Sequence, residues 1–225
     1  QELAPNDIGL QTRLASVRIG MGDPDSAVGD LEHTLSLAPK LPAVSEALFF
    51  AALATGDMSK AQEALQKIRK ADGQADVVGN LEGLYKMAQI DLIGARATFT
   101  DIVQKYPDFV PAKINLARVN LMLGDRSSAE KILAGVLEKQ PTLEPALSML
   151  VQVYRQNGKA ADAVSLLRKA HDAEPANVRV TLNLVDSYLR ANEAPKAMEV
   201  LMAEKPPSSE AIEIRSAKAA TRLAL

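Results

Sequence analysis

Few residues in this chain are of a type that does acid, base or nucleophilic chemistry, and they are scattered. His33 and His171 are the only histidines. Both stand late in second-helix stretches, where a surface histidine near a helix C-terminus is the ordinary reading. No H-E-x-x-H stretch exists to hold a zinc ion. The absence of cysteine removes thiol nucleophiles, disulfides and cysteine-based metal sites. Gly20-x-Gly22 lacks the third glycine, the preceding strand and the following Lys-Ser/Thr of a phosphate loop. Asp23 and Asp25 fall in an inter-helix turn, where acids cap helices rather than act as a general acid and base. Ser208-Ser209, beside two prolines, is a turn. The expectation is therefore no catalytic, metal or cofactor-binding residue, and no enzyme. What remains is arginine with asparagine, a pairing that can hold a carboxylate and a peptide backbone by directional hydrogen bonds.

Where those residues sit depends on a repeat. Between Pro107 and Pro175 the same pattern is written twice, with Pro141 closing one copy and opening the next. Each copy runs from proline through an apolar helical stretch to a turn glycine (Gly124, Gly158), an alanine (Ala129, Ala163), a leucine (Leu133, Leu167) and proline again. The step is 34 residues, and upstream it lands on Gly73, Pro39 and Pro5. Ala27, Ala61, Ala95, Ala129, Ala163 and Ala197 follow the same step, each with Leu or Phe four residues later. Turn glycines stand at Gly22, Gly56, Gly124 and Gly158, with Ile90 and Asn192 in the two remaining places. A period of this length means stacked helical hairpins sharing one continuous core.

The physical logic is visible in the unit that begins at residue 110. Ile114, Leu116, Ala117, Val119, Leu121 and Leu123 make a broad apolar face at helical spacing. Gly124 ends that helix by taking the left-handed conformation cheaply. Asp125 or Ser127 is placed to cap the next helix, which carries Ala129, Ile132, Leu133, Val136 and Leu137. Pro141 stops it. The alanines are expected at the closest approach of paired helices, where a larger side chain would overpack. The expected organisation is residues 1–7 as the end of a preceding repeat, then repeats at 8–41, 42–75, 76–109, 110–143, 144–177 and 178–209. A helix at 210–225 then starts a further repeat or caps the array, with Arg215, Lys218 and Arg222 on one solvated face. Asp72-Gly73 in place of proline and Ile90 in place of glycine read either as drift in a tolerant loop or as a local change of pitch. Lys205 to Ser209 reads as a stiff turn.

Composition narrows the partners. A net charge of −2 gives nucleic acid no basic surface. Aromatics at 4%, with no Trp, are too few for base-stacking platforms. The longest apolar run, Ala47 to Ala54, is far short of the roughly 20 residues of a membrane span, so no direct membrane insertion is expected. No signal peptide is visible. Gln1 to Pro5 resembles the unit ending Leu35 to Pro39, and the whole reads as a piece of a longer array.

The sequence resembles the tetratricopeptide repeat family, whose motif runs W-x2-L-G-x2-Y, then Ala, Phe and Pro. The best matches are Leu147-x2-Leu150-Val151-x2-Tyr154 with Ala163, Leu167 and Pro175, and Thr181-x2-Leu184-Val185-x2-Tyr188 with Ala197 and Leu201. The family's leading Trp is absent, and Gly at the eighth position survives only as Gly83, with Ala15, Ala117 and Val151 elsewhere. The resemblance implies an all-α, right-handed superhelix of helix-turn-helix repeats. It implies that the first helix of each pair lines a concave groove that binds protein or peptide segments, without catalysis. Carried onto this sequence, the family's groove positions give Thr12, Arg13, Ser16, Glu46 and Phe50 in the first two units, and Asn80 and Leu84 in the third. The later units give Asn115 and Arg118, then Ser148, Gln152 and Arg155, then Arg179, Asn183, Asp186 and Arg190. The early positions are mixed and partly apolar; the later ones gather arginine and amides. The partner-binding residues expected from this are Asn80, Asn115, Arg118, Gln152, Arg155, Arg179, Asn183 and Arg190. Some members grip a peptide's terminal carboxylate with a Lys/Asn/Arg clamp, whose Lys positions are not reproduced here.

A second setting is also compatible with the sequence. Ala-rich arrays with Leu-Ala-Pro unit endings are similar to the repeat arrays of bacterial envelope proteins. These include periplasmic portions of cellulose- or alginate-type exopolysaccharide secretion systems and exosortase-associated lipoproteins. There the module would be a spacer and assembly platform, and the cysteine-free, mildly acidic chain fits a periplasmic location. End helices with exposed apolar faces offer a route to self-association.

Overall fold

The computed structural model describes residues 8–37, 42–71, 73–203 and 211–223. Pro5, Pro39, Asp72, the tail at 1–7 and the turn at 205–209 lie outside the described residues. Among the described residues there are thirteen α-helices and no strand. They fall into two compact units, residues 1–123 and 124–225.

The first unit holds α1 (Ile8–Gly20), α2 (Pro24–Leu37), α3 (Pro42–Thr55), α4 (Met58–Lys70), α5 (Ala75–Ala88), α6 (Leu92–Lys105) and α7 (Val110–Met122). Each helix packs on the next, and α1 also touches α3, as α5 touches α7. The second unit holds α8 (Arg126–Lys139), α9 (Glu144–Gln156), α10 (Ala160–Ala173), α11 (Val178–Arg190), α12 (Ala194–Ala203) and α13 (Ala211–Leu223). Again each packs on its successor, and α11 also touches α13. On α13, Arg215 and Arg222 are exposed and Lys218 is half-buried.

The hairpin turns share one construction. After the first helix, Gly22, Gly56, Gly124 and Gly158 adopt φ of +83°, +77°, +82° and +70°. Lacking a Cβ, glycine enters this region with little penalty. The next residue then reaches back to the helix. The Asp23 N–H donates to the Arg18 carbonyl at 2.9 Å, and the Asp57 N–H to the Ala52 carbonyl at 2.9 Å. This bond satisfies a carbonyl that the helix end leaves open. The same aspartates cap the following helix: Asp57 accepts from the Lys60 N–H at 2.9 Å and Asp125 from the Ser128 N–H at 3.1 Å. Asp23 accepts from the Ser26 N–H at 3.3 Å, which makes it a capping acid.

Ile90 and Asn192 keep this geometry without glycine. Their φ values are +64° and +57°, and the bonds Asp91 to Lys86 and Glu193 to Tyr188 close at 2.9 and 2.8 Å. Asparagine tolerates the conformation; a β-branched side chain there is a strained exception. Gly73, in a proline's place, has its own reason. A Cβ there would lie 2.8 Å from both the Ile68 side chain and its carbonyl oxygen.

All six alanines of the 34-residue series are at most 1% exposed, and the Leu or Phe four residues on is at most 5% exposed. Each such Leu or Phe contributes about 1.5–3 kcal/mol by leaving water. The third hairpin closes more tightly. A Cβ on Gly79 would meet Ile102 at 2.2 Å, and one on Gly83 would meet the Phe99 ring at 2.4 Å. The absent methyls let α5 sit against α6, and the larger Phe99 fills the space that Gly83 leaves.

Candidate interaction surface

In the first unit the first helices present equivalent residues one repeat step apart. Phe50 on α3, Leu84 on α5 and Arg118 on α7 hold the same place in successive hairpins. Phe50 and Arg118 are exposed and Leu84 is half-buried. Met122, one helical turn beyond Arg118, is exposed as well. Asn80 and Asn115, expected from the family pattern as partner-binding side chains, are instead buried, at 8% and 7% exposed. The Asn115 amide nitrogen donates to the Asn80 side-chain oxygen at 2.9 Å. The Asn115 oxygen in turn accepts from Arg118 Nη1 at 3.0 Å. Burial of an amide is tolerated because these bonds satisfy it. The pair therefore cross-links α5 to α7 and orients the guanidinium.

Glu46 on α3 is half-buried, and desolvation raises its carboxyl above the usual glutamate range. On α1, the Ser16 hydroxyl turns inward on its own helix and donates to the Thr12 carbonyl at 3.0 Å.

In the second unit the expected arginines have acidic neighbours. Arg155 Nη2 donates to Asp186 Oδ2 at 2.8 Å and to the Ser187 hydroxyl at 3.0 Å. Arg190 Nε donates to the same Asp186 oxygen at 2.9 Å. Arg179 stands 3.6 Å from Glu144. Two guanidiniums thus share one carboxylate between α9 and α11. Gln152 and Asn183 are exposed. Asn183 and Arg179 line a shallow cleft of about 180 Å³ with Thr142, Ser148 and Asn177. Such exposed pairs add little stability, about 0–1 kcal/mol each, but they lower the local positive charge that an acidic ligand would meet.

By sequence alone Asp186 is one more polar position on α11. Its partnership was legible in principle: Asp186 and Arg190 are four residues apart on one helix, a spacing that pairs side chains. The Asn80–Asn115 bond had a weaker signal, two amides nearly one repeat step apart.

The remaining candidates for chemistry stay apart. His33 is exposed on α2, while His171 on α10 is half-buried, its Nδ1 lying 3.2 Å from the Thr181 hydroxyl of α11. Among the described residues no three His, Cys, Asp or Glu side chains gather as metal ligands, and no helix is long and apolar enough to cross a membrane.

The sequence profile described as tetratricopeptide repeat matches residues 18–83, 86–153 and 154–220. No curated protein matches the sequence. Among solved structures, the chain is similar to a thermophilic tetratricopeptide repeat protein of Thermus thermophilus. That match has 20% identity and a TM-score of 0.63, covering 81% of this chain and 99% of that one. It is also similar to PilW, a type IV pilus biogenesis factor, at 20% identity and a TM-score of 0.58, over 87% of this chain and 90% of that one. Yeast Tom70 superposes with a TM-score of 0.73 at 13% identity, over 96% of this chain and 47% of that one. At these identities the likeness speaks for the fold. The profile, spanning most of the chain in three stretches, together with the evenly stepped hairpins, places this protein in the tetratricopeptide repeat family.

Proposed function

We propose that the chain is a non-catalytic scaffold that binds a segment of another protein on the first-helix face of residues 1–123, around Arg118. Tetratricopeptide repeat proteins bind protein or peptide partners. The observation that carries the assignment is the contrast among the four arginines expected as partner-binding residues. Arg155 and Arg190 bond to Asp186, and Arg179 lies near Glu144. Arg118 bonds only to the neutral Asn115 among the described residues. A guanidinium held by an amide but not neutralised keeps its charge for an incoming carboxylate, and its rotamer is ordered beforehand. Phe50 and Leu84 add apolar surface in the same register as Arg118, and Met122 adds more one helical turn beyond it. The matching segment has an acidic group, a side chain or a chain terminus, beside an apolar side chain.

The test is a panel of labelled acidic-apolar peptides, each with its amidated counterpart, titrated against the chain. Loss of a charge-assisted hydrogen bond of about 1.5–3 kcal/mol lowers affinity at least about tenfold. Arg118→Glu removes binding of the acidic member, whereas Arg190→Glu weakens it less. Circular dichroism and melting stay unchanged in both. Equal binding by the Arg118→Glu protein removes the assignment.

The envelope setting, a spacer and assembly module for exopolysaccharide export, rests on the cysteine-free sequence and the Leu-Ala-Pro unit endings. Fractionation of the host cell tests it: recovery in the cytoplasm rejects it.

A further inference from the structure

Tyr154 on α9 and Tyr188 on α11 hold the same place in successive first helices, yet one is open and the other sealed. Tyr188 is 1% exposed. Arg168 of α10 covers it. The guanidinium lies 5.5 Å from the ring centroid, and its Nε donates to the phenol oxygen at 2.9 Å. One repeat step before Arg168 stands Ala134 on α8. Alanine cannot reach over Tyr154, which stays half-buried, and the Tyr154 hydroxyl has no hydrogen bond among the described residues. Earlier hairpins carry Glu32, Gln66 and Thr100 at this place, all larger than alanine.

The space left open joins an apolar slot to a basic cleft. The slot, of about 170 Å³, lies among α8, α9 and α10 and is lined by Ala134, Leu137, Leu150, Leu166 and Ala170 with Tyr154. An apolar cavity of roughly 150 Å³ takes up benzene, so the slot has room for one aliphatic or aromatic side chain. Ala134 and Tyr154 also line a wider cleft of about 510 Å³, so the two spaces are continuous. Its charged residues are Arg126, Lys131 and Lys159 against one acid, Glu130. Lys159 is engaged, its Nζ donating to both Glu130 oxygens at 3.0 Å. Arg126 and Lys131 are exposed and have no acidic partner among the described residues. The fold does not impose this sign: the equivalent cleft in the first two hairpins carries Asp25, Glu32 and Asp57 with Lys60.

We propose that the space around Tyr154 is a second docking site, separate from the first-helix face, for a segment of another protein with an apolar side chain beside an acidic one. The apolar side chain, of leucine or phenylalanine size, enters the slot beside Ala134. The carboxylate meets Arg126 and Lys131 through charge-assisted hydrogen bonds and accepts the Tyr154 O–H. A basic segment would copy what Arg168 does over Tyr188, but the excess positive charge of the cleft opposes it.

The test titrates labelled peptides built on Leu-Glu-Glu, Glu-Glu-Leu and Leu-Lys-Lys against the chain carrying Arg118→Glu, so that the first-helix face does not contribute. Fluorescence anisotropy reads binding. The acidic peptides are expected to bind, and the Leu-Lys-Lys peptide at least about tenfold more weakly. Ala134→Met fills the slot without changing charge and is expected to lower affinity for the acidic peptides at least about tenfold, as loss of a buried anchor does. Lys131→Glu is expected to lower it as much, and Tyr154→Phe, which keeps the ring and removes the hydroxyl, by about tenfold. Circular dichroism and melting establish that each variant is folded. Absence of saturable binding by both acidic peptides overturns the proposal, as does unchanged affinity in the Ala134→Met or the Lys131→Glu protein. Binding of the Leu-Lys-Lys peptide as tight as that of the acidic ones would also overturn it.

Discussion

Replacing Gly83 by alanine should show how the third hairpin is set. Alanine is the better helix former by about 1 kcal/mol, so propensity alone makes the change stabilising. The packing opposes it. The new Cβ would lie 2.4 and 2.5 Å from Cε1 and Cζ of Phe99, against 3.4–4 Å for ordinary contact. Relief needs α5 or the ring to move by about 1 Å, and Phe99 is fully buried, so the ring has no solvent to swing into. Overpacking of this kind costs about 1–3 kcal/mol. The net expectation is a loss of about 0–2 kcal/mol. Phe99→Leu removes the two nearest of the three close ring atoms, Cε1 and Cζ, and recreates the Ala–Leu combination that the first hairpin already uses, at Ala15 with Leu31. In that background Gly83→Ala should turn stabilising. The coupling between the two changes is about 1–3 kcal/mol. Hydrogen exchange at the amides of α5 and α6 in all four proteins reads it locally, which suits an array whose repeats can unfold separately. The same shift of α5 would stretch the 2.9 Å Asn80–Asn115 bond, so Arg118 should lose its orientation in the single mutant. A Gly83→Ala effect of the same sign and size with Phe or Leu at position 99 would refute the argument.

The turn at Ile90 gives a second prediction. Ile90 is 80% exposed and pays for a left-handed conformation without packing in return, so Ile90→Gly should raise stability by about 0.5–1 kcal/mol, measured by urea denaturation. Asn192→Gly should gain less, because asparagine tolerates the region. Asp91→Ala removes the side chain that accepts from the Gly94 N–H at 2.9 Å and should cost about 1 kcal/mol; a loss below a few tenths in the same assay would show that the cap does not hold α6. Glu46 gives a pH dependence. Its folded carboxyl titrates above the unfolded one, so the native state binds more protons between those two values and stability falls as pH rises through that window. Glu46→Gln should flatten that decline and be the more stable protein at pH 7, as read from melting temperature against pH; an unchanged slope counts against desolvation as the cause.

Much of the fold was legible in the residues themselves. The 34-residue spacing of alanine, the glycine-aspartate turns and the proline punctuation each report a local constraint: a close helix contact, a left-handed cap, a chain stop. Such constraints act within one hairpin and are repeated, so sequence alone determined thirteen helices and which residues face the core. Even Ile90 and Asn192, which break the glycine rule, kept its geometry, because the backbone bonds on either side close the turn whatever the side chain.

The interaction surface was less legible. The family pattern places Asn80, Asn115, Arg118, Arg155, Arg179 and Arg190 at first-helix positions and treats them alike. Whether an amide is sunk between two helices, and whether a guanidinium meets an acid from its neighbour, depends on side chains brought together from different hairpins. Distances of 2.8 Å between Arg155 and Asp186 and 2.9 Å between Asn115 and Asn80 are set by how helices pack, not by their order in the chain. The tertiary structure alone therefore decided that two amides serve as an internal strut between α5 and α7, and that one acid is shared by two arginines. Burial and pairing are properties of neighbours in space, and a periodic sequence specifies those only up to the side chains that happen to face one another.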